Sequence, residues 1–104
     1  SAVVAKIVRG GLRPFTPNSI TDPDVLAADL EATRQRGYSI DNAEHQPLIR
    51  CIAAPIRNVT GRVFAAVSAS GPASRMTDDR LFSFAPLVMA TADEISRLSG
   101  YNPR

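Results

Sequence analysis

The run Arg50-Cys51-Ile52-Ala53-Ala54-Pro55-Ile56-Arg57, the link Asn58-Val59-Thr60-Gly61, and the run Ala65-Ala66-Val67-Ser68-Ala69-Ser70-Gly71-Pro72 decide the fold. They read as two strands, 49–57 and 62–70, joined by a tight turn that Gly71-Pro72 follows as a break. Asn first and Gly last in the link suit a type I turn between antiparallel partners. One strand carries a thiol and the other two hydroxyls. A strand that only fills a core carries Val, Ile or Leu at such places; small polar atoms on apolar strands suit a ligand pocket.

The hairpin carries a geometric expectation. If all four link residues form the loop, Arg57 faces Arg62, Cys51 lies opposite Ser68, and Ile49 opposite Ser70. Thiol and hydroxyls then share one face of the sheet. A one-residue bulge at Gly61 would put Cys51 opposite Ala69 and turn the serines to the other face. The sequence leaves both registers open.

Working outward, Tyr38-Ser39-Ile40-Asp41 alternates and reads as a short strand, followed by a polar loop from Asn42 to Leu48. Before it, Thr21-Asp22-Pro23-Asp24 offers capping oxygens and a proline for the first turn. Val25, Leu26, Ala28, Leu30 and Ala32 keep one side apolar at helical spacing. Arg34 and Arg36 suit the last turn, and Gly37 stops the helix, predicted over 23–36. Residues 2–8 are apolar and fit either a short helix or a strand; Pro14 and Pro17 mark an irregular loop. On the far side, Thr77 caps a second long helix whose stripe runs from Leu81 to Leu98. Pro86 inside it is expected to kink or break the helix near Phe82 to Ala85. The order is an α+β pattern around an antiparallel sheet.

At 104 residues the chain is one domain at most, and 44% apolar residues places it with globular proteins. No run of apolar residues is long enough to span a bilayer, and no signal peptide is visible, although the chain starts at Ser1 rather than Met. The one cysteine rules out an internal disulfide framework and fits a reducing, cytoplasmic setting. Asn58-Val59-Thr60 matches a glycosylation acceptor only as a chance pattern. A net charge of +2 is weakly basic. Lys6, Arg9 and Arg13, and Arg34 with Arg36, are not interleaved with aromatics, so this chain is not expected to read DNA itself.

From Leu12 onward several motifs recur in order. They are Thr16…Ile20-Thr21-Asp22, Leu26…Leu30…Arg34-Gln35-Arg36-Gly37-Tyr38, Asp41, Glu44-His45, Arg50 to Ile56, Gly61-Arg62-Val63, Ser68 to Pro72, and Ala92…Glu94-Ile95-Ser96. In this order and spacing the chain resembles the effector-binding half of IclR-type bacterial transcriptional regulators. The resemblance implies a GAF-like sensing domain, incomplete on its N-terminal side, with a small organic acid held against the sheet. It implies ligand contacts at Asp41, Cys51, Ser68 and Ser70, self-association as a dimer or tetramer, and DNA contact only through a winged-helix domain that this chain lacks. No cofactor is expected. Leu48 departs from the family, where relatives commonly carry Gly.

Each residue also has a plainer reading. Cys51 and the serines fit sheet packing, in which case the chain is an oligomerisation module without a ligand site. A serine donates one hydrogen bond and accepts two, which suits a carboxylate or carbonyl. Asp41 is harder to reconcile with an anion, because neighbouring carboxylates repel. It suits a hydroxyl or hydrated carbonyl of the ligand, a bound water, or its own protonated form, or simply a strand-end turn. Asp41, His45 and Cys51 as zinc ligands do not have the spacing of a known finger. A thiol-dependent hydrolase using Cys51 and His45 needs a lowered thiol pKa, and nothing adjacent supplies one, since Arg50 points to the opposite face.

Overall fold

The computed structural model describes residues 2–103; Ser1 and Arg104 lie outside them. Six elements follow in order: α1 (Ala2–Arg9), α2 (Pro23–Arg36), β1 (Ser39–Asn42), β2 (Ile49–Arg57), β3 (Val63–Pro72) and α3 (Asp78–Leu98). The strands form one antiparallel sheet in the order β1-β2-β3.

Helix α2 has the bounds its sequence signals dictate. The Asp22 side chain caps it by accepting the Asp24 amide, and Gly37 ends it in the left-handed region at φ 86°, its N–H returning to the Thr33 carbonyl. Residues 2–9 resolve as a helix, amphipathic and without a buried residue. Helix α3, capped by the Thr77 hydroxyl, runs unbroken through Pro86, contrary to the expected break. The ring removes the bond that would reach the Phe82 carbonyl, and Phe82 and Pro86 both face water, which can serve that carbonyl instead.

The core lies between α3 and one face of the sheet. Ile52, Ala54 and Ile56 alternate along β2 and pack against Leu81, Ala85, Val88 and Ala92 of α3, with Met76 closing the end. Ile40, Val67 and Ala69 extend the same face. Arg50, also on this side, donates to the Met76 carbonyl (2.7 Å) and to Asp78 (2.8 Å), tying β2 to the start of α3.

The hairpin register differs from the simple four-residue expectation by two residues. Cys51 pairs with Ser70, Ala53 with Ser68 and Ile49 with Pro72, so β3 continues through Gly71-Pro72 rather than breaking there. Two separate slips produce this. Gly61 sits at φ 83° and its N–H closes the turn on the Asn58 carbonyl, so Arg57 meets Val63 instead of Arg62. Ile56 then pairs with Ala65, leaving Phe64 as an extra residue. One slip would have turned the serines over; two restore the original face.

The second slip disturbs the ladder at Arg57, and Ser96 repairs it. The Arg57 amide donates to the Ser96 hydroxyl (2.9 Å), which itself donates to the Ala92 carbonyl (2.8 Å). Ser96 is only 2% exposed. Ser96→Ala would leave that amide unpaired beneath the hairpin and should cost about 1–3 kcal/mol in denaturant unfolding. Ser99→Ala, which removes an exposed hydroxyl, should stay within about 0.5 kcal/mol. Leu48 adopts φ 68°, a left-handed conformation that costs a branched side chain about 1 kcal/mol. Leu48→Gly is therefore expected to raise stability by up to about 1 kcal/mol in the same assay, and a clear loss would contradict the strain.

Candidate functional site

The face of the sheet turned away from α3 holds the chemistry. Asp41 pairs with Cys51 across β1 and β2, and Cys51 pairs with Ser70 across β2 and β3. The three therefore stand in one row, about 5 Å from strand to strand. Ser68 lies on the same face one step along, opposite Ala53. Cys51 and Asp41 are half-buried, while Ser68 and Ser70 are exposed. All four predicted site residues thus share a face, and the two serines stand at its open side.

Helix α2 and the segment before it flank the Asp41 end. There a cleft of about 560 Å³ opens between Phe15, His45, Arg13 and the carboxylates of Asp29, Asp41 and Glu44. A smaller cleft of about 250 Å³ lies further along the same face, between Thr33 and Arg34 of α2 and Ala53, Pro55 and Ala66 of the sheet. A further cleft of about 610 Å³ runs instead along α3 near Met89, Arg97 and Tyr101 and touches none of the four residues. Row chemistry, not cleft size, marks the candidate site.

The electrostatics sort the roles. Burial, and then the charge of Asp41, push the Cys51 thiol above its ordinary pKa. A nucleophile needs the opposite shift. His45 packs edge-on against Phe15, ring centres 4.9 Å apart. Burial also raises the Glu44 carboxyl, and the charges of Asp41 and Asp29 add to the shift. Among the described residues no group of three or more His, Cys, Asp or Glu is placed to hold a metal ion.

Sequence reading passed over the strap Phe15–Ser19. Thr16 donates to the Ala43 carbonyl (2.6 Å), Asn18 to that of Asn42 (2.8 Å), and Ser19 to that of Glu44. These bonds hold the loop after β1, where Ala43 sits at φ 55°. Inside that loop the Glu44 amide donates to Asp41 (2.8 Å), fixing the carboxylate at the end of the row. The signal was present in Thr16-Pro17-Asn18-Ser19, since short polar side chains around a proline favour such backbone contacts.

Similarity to known proteins agrees with this architecture. The sequence profile described as "Bacterial transcriptional regulator IclR C-terminal" matches residues 2–97. The HTH-type transcriptional repressor AllR of Salmonella typhimurium is 45% identical over 101 residues, covering 97% of this chain and 37% of the repressor. The chain therefore spans little more than a third of the length of such relatives. The crystal structure of the Thermotoga maritima IclR superposes with a TM-score of 0.84 at 42% identity, covering 88% of this chain and 37% of that one. A double mutant of the PobR inducer-binding domain from Acinetobacter, crystallised with 3-hydroxybenzoic acid, gives 0.85 at 31% identity over 93% of this chain and 56% of that one. With an α+β sheet, a row of polar side chains on its open face and a profile match over nearly its whole length, the chain belongs to the IclR family of bacterial transcriptional regulators and represents the C-terminal region of that family.

Proposed function

We propose that this chain is the greater part of an effector-sensing domain, and that a small organic acid binds across the row Asp41, Cys51, Ser70 with Ser68 beside it. The observation that carries the reading is the shared face: hydroxyls at one end, a half-buried thiol in the middle and a fixed carboxylate at the other. Serine hydroxyls donate to the acid's oxygens, and Asp41 accepts from a hydroxyl or hydrated carbonyl on the same molecule. The inducer-binding domain of PobR, a structural neighbour, was crystallised with a hydroxybenzoic acid. In the intact regulator, which acts in the cytoplasm, acid binding shifts the balance between conformations that suit the operator and those that do not. DNA is contacted by a separate winged-helix domain.

A second reading, self-association, rests on surface. Val3 and Ile7 of α1 and Leu87 and Leu98 of α3 are among the exposed apolar side chains. On this second reading the chain is an oligomerisation module without a ligand site.

Thermal-shift titration with 2-oxo and aromatic monocarboxylates should raise the midpoint of this chain in a concentration-dependent way. Ser70→Ala and Ser68→Ala should each weaken binding by about tenfold, as loss of a hydrogen bond to a charged group does. Their unliganded stability should change by no more than about 0.5 kcal/mol, because both side chains are exposed. Unchanged affinity in both variants would contradict the site. Iodoacetamide should label Cys51 at neutral pH no faster than an ordinary free thiol; rapid labelling would favour a hydrolase instead. Sedimentation should find a dimer or larger species, and a monomer at all concentrations would rule out self-association.

A further inference from the structure

The two open edges of the sheet differ. On the β1 side, β2 runs on past the last pair, Ser39 with Ala53. There Pro55 has no N–H to offer, and the Arg57 amide is taken by Ser96. That stretch is poorly suited to receive a strand. On the other side β3 is the outermost strand. The Ala73 amide donates to the Leu48 carbonyl (2.6 Å), so the odd-numbered residues from Ala65 onward turn their backbone groups toward β2. Ala66, Ser68 and Ser70 turn theirs outward, and all three residues are exposed. Phe64 and Pro72 interrupt this edge only at its ends. Between them residues 65–71 carry no charge, proline or bulge, the devices that keep sheet edges apart.

Helix α3 is asymmetric in the same sense. Met89, Asp93 and Arg97 line the cleft beside Gly37, on the β1 side. Phe84, Leu87, Thr91, Ile95 and Leu98 follow at helical spacing on the opposite flank, toward β3. Leu87 is 63% and Leu98 71% exposed. The Thr91 hydroxyl is already bonded to the Leu87 carbonyl (2.8 Å), so it does not make the stripe more polar. A bare strand edge and an apolar helix flank thus lie on one side of the molecule.

We infer that β3 pairs with β3 of a second copy of this chain, antiparallel about a two-fold axis at Ser68, giving one six-stranded sheet with both α3 helices on the same face. The inference rests on the self-association reading and needs no ligand. An open row of backbone donors and acceptors is satisfied by another extended backbone. Centring on Ser68 sets Ser68 against its counterpart and Ala66 of each copy against Ser70 of the other, so every outward amide meets a carbonyl. Phe64 then meets Pro72 at each end, where the edge is already interrupted. The two-fold turns the Leu87 stripes toward each other, with helix axes roughly 10–14 Å apart, a gap that long apolar side chains reach into. The seam is about 24 Å long and, helix on sheet, roughly 20 Å deep. Each copy thus contributes roughly 500 Å², which brings the total to about the 1,000 Å² at which specific interfaces begin.

Sedimentation together with amide hydrogen exchange on this chain tests it. We expect a dimer in which the Ala66, Ser68 and Ser70 amides exchange slowly and lose that protection on dilution, while Val67 and Ala69, bonded to β2, keep theirs. Ala66→Pro removes an outward N–H without touching the pairing with β2 and should weaken the dimer at least about tenfold. Leu87→Arg should do the same by placing charge in the seam, and serves if the proline variant does not fold. Phe82→Arg, an equally exposed site at helical spacing from Met89 on the other flank, should stay within about twofold. A dimer whose three outward amides exchange freely, or one that tolerates Leu87→Arg as well as Phe82→Arg, would overturn this interface and leave self-association standing. A monomer at all concentrations would overturn both and assign the edge to another segment of the intact regulator.

Discussion

The packing of α3 against Ile52, Ala54 and Ile56 is the constraint on which the rest of the structure depends. Once those three side chains face the helix, strand alternation turns Cys51, Ala53 and Pro55 the other way. Antiparallel pairing then fixes what stands beside Cys51 on either side. Ala54, Ala85 and Ala92 are buried in that core, and α3 covers this face of the sheet and not the other. A candidate binding surface therefore arises as the complement of the core, from the same alternation.

Register is the sensitive step in this arrangement, because a single-residue slip inverts every side chain of β3. The hairpin contains two slips, one at the Gly61 turn and one at Phe64, and they cancel in their effect on facing. Ser96 makes the second slip tolerable by taking the Arg57 amide that the ladder leaves over. A buried serine on the apolar stripe of a helix looks anomalous when the helix is read alone. Beside the hairpin it is the group that stabilises the irregularity and, through it, the facing of Ser68 and Ser70.

Much of this was legible in the sequence. Helix α2 has strong punctuation at both ends, so Asp22, Pro23 and Gly37 define it without tertiary help. The shared face of Cys51, Ser68 and Ser70 was one of two registers the sequence left open, and it arises through two slips rather than through the four-residue turn on which that expectation depended. Bulges escape such reading because they depend on which orphan amide finds a partner, and Ser96 lies 39 residues from Arg57. Pro86 does not break α3, because its cost depends on whether water reaches the carbonyl it strands. The strap from Phe15 to Ser19 was visible only as a loop, since its bonds reach carbonyls more than twenty residues away. Leu48 was flagged by its departure from a common glycine, and its left-handed backbone gives that departure a physical meaning.

The most direct test of the account is the cross-strand nuclear Overhauser pattern of β2 and β3 in solution. Contacts linking Cys51 with Ser70, Ala53 with Ser68 and Cys51 with Asp41 would show the doubly slipped register and the common face. Contacts pairing Cys51 with Ala69 would place the serines against α3, and the proposed acid site would no longer exist.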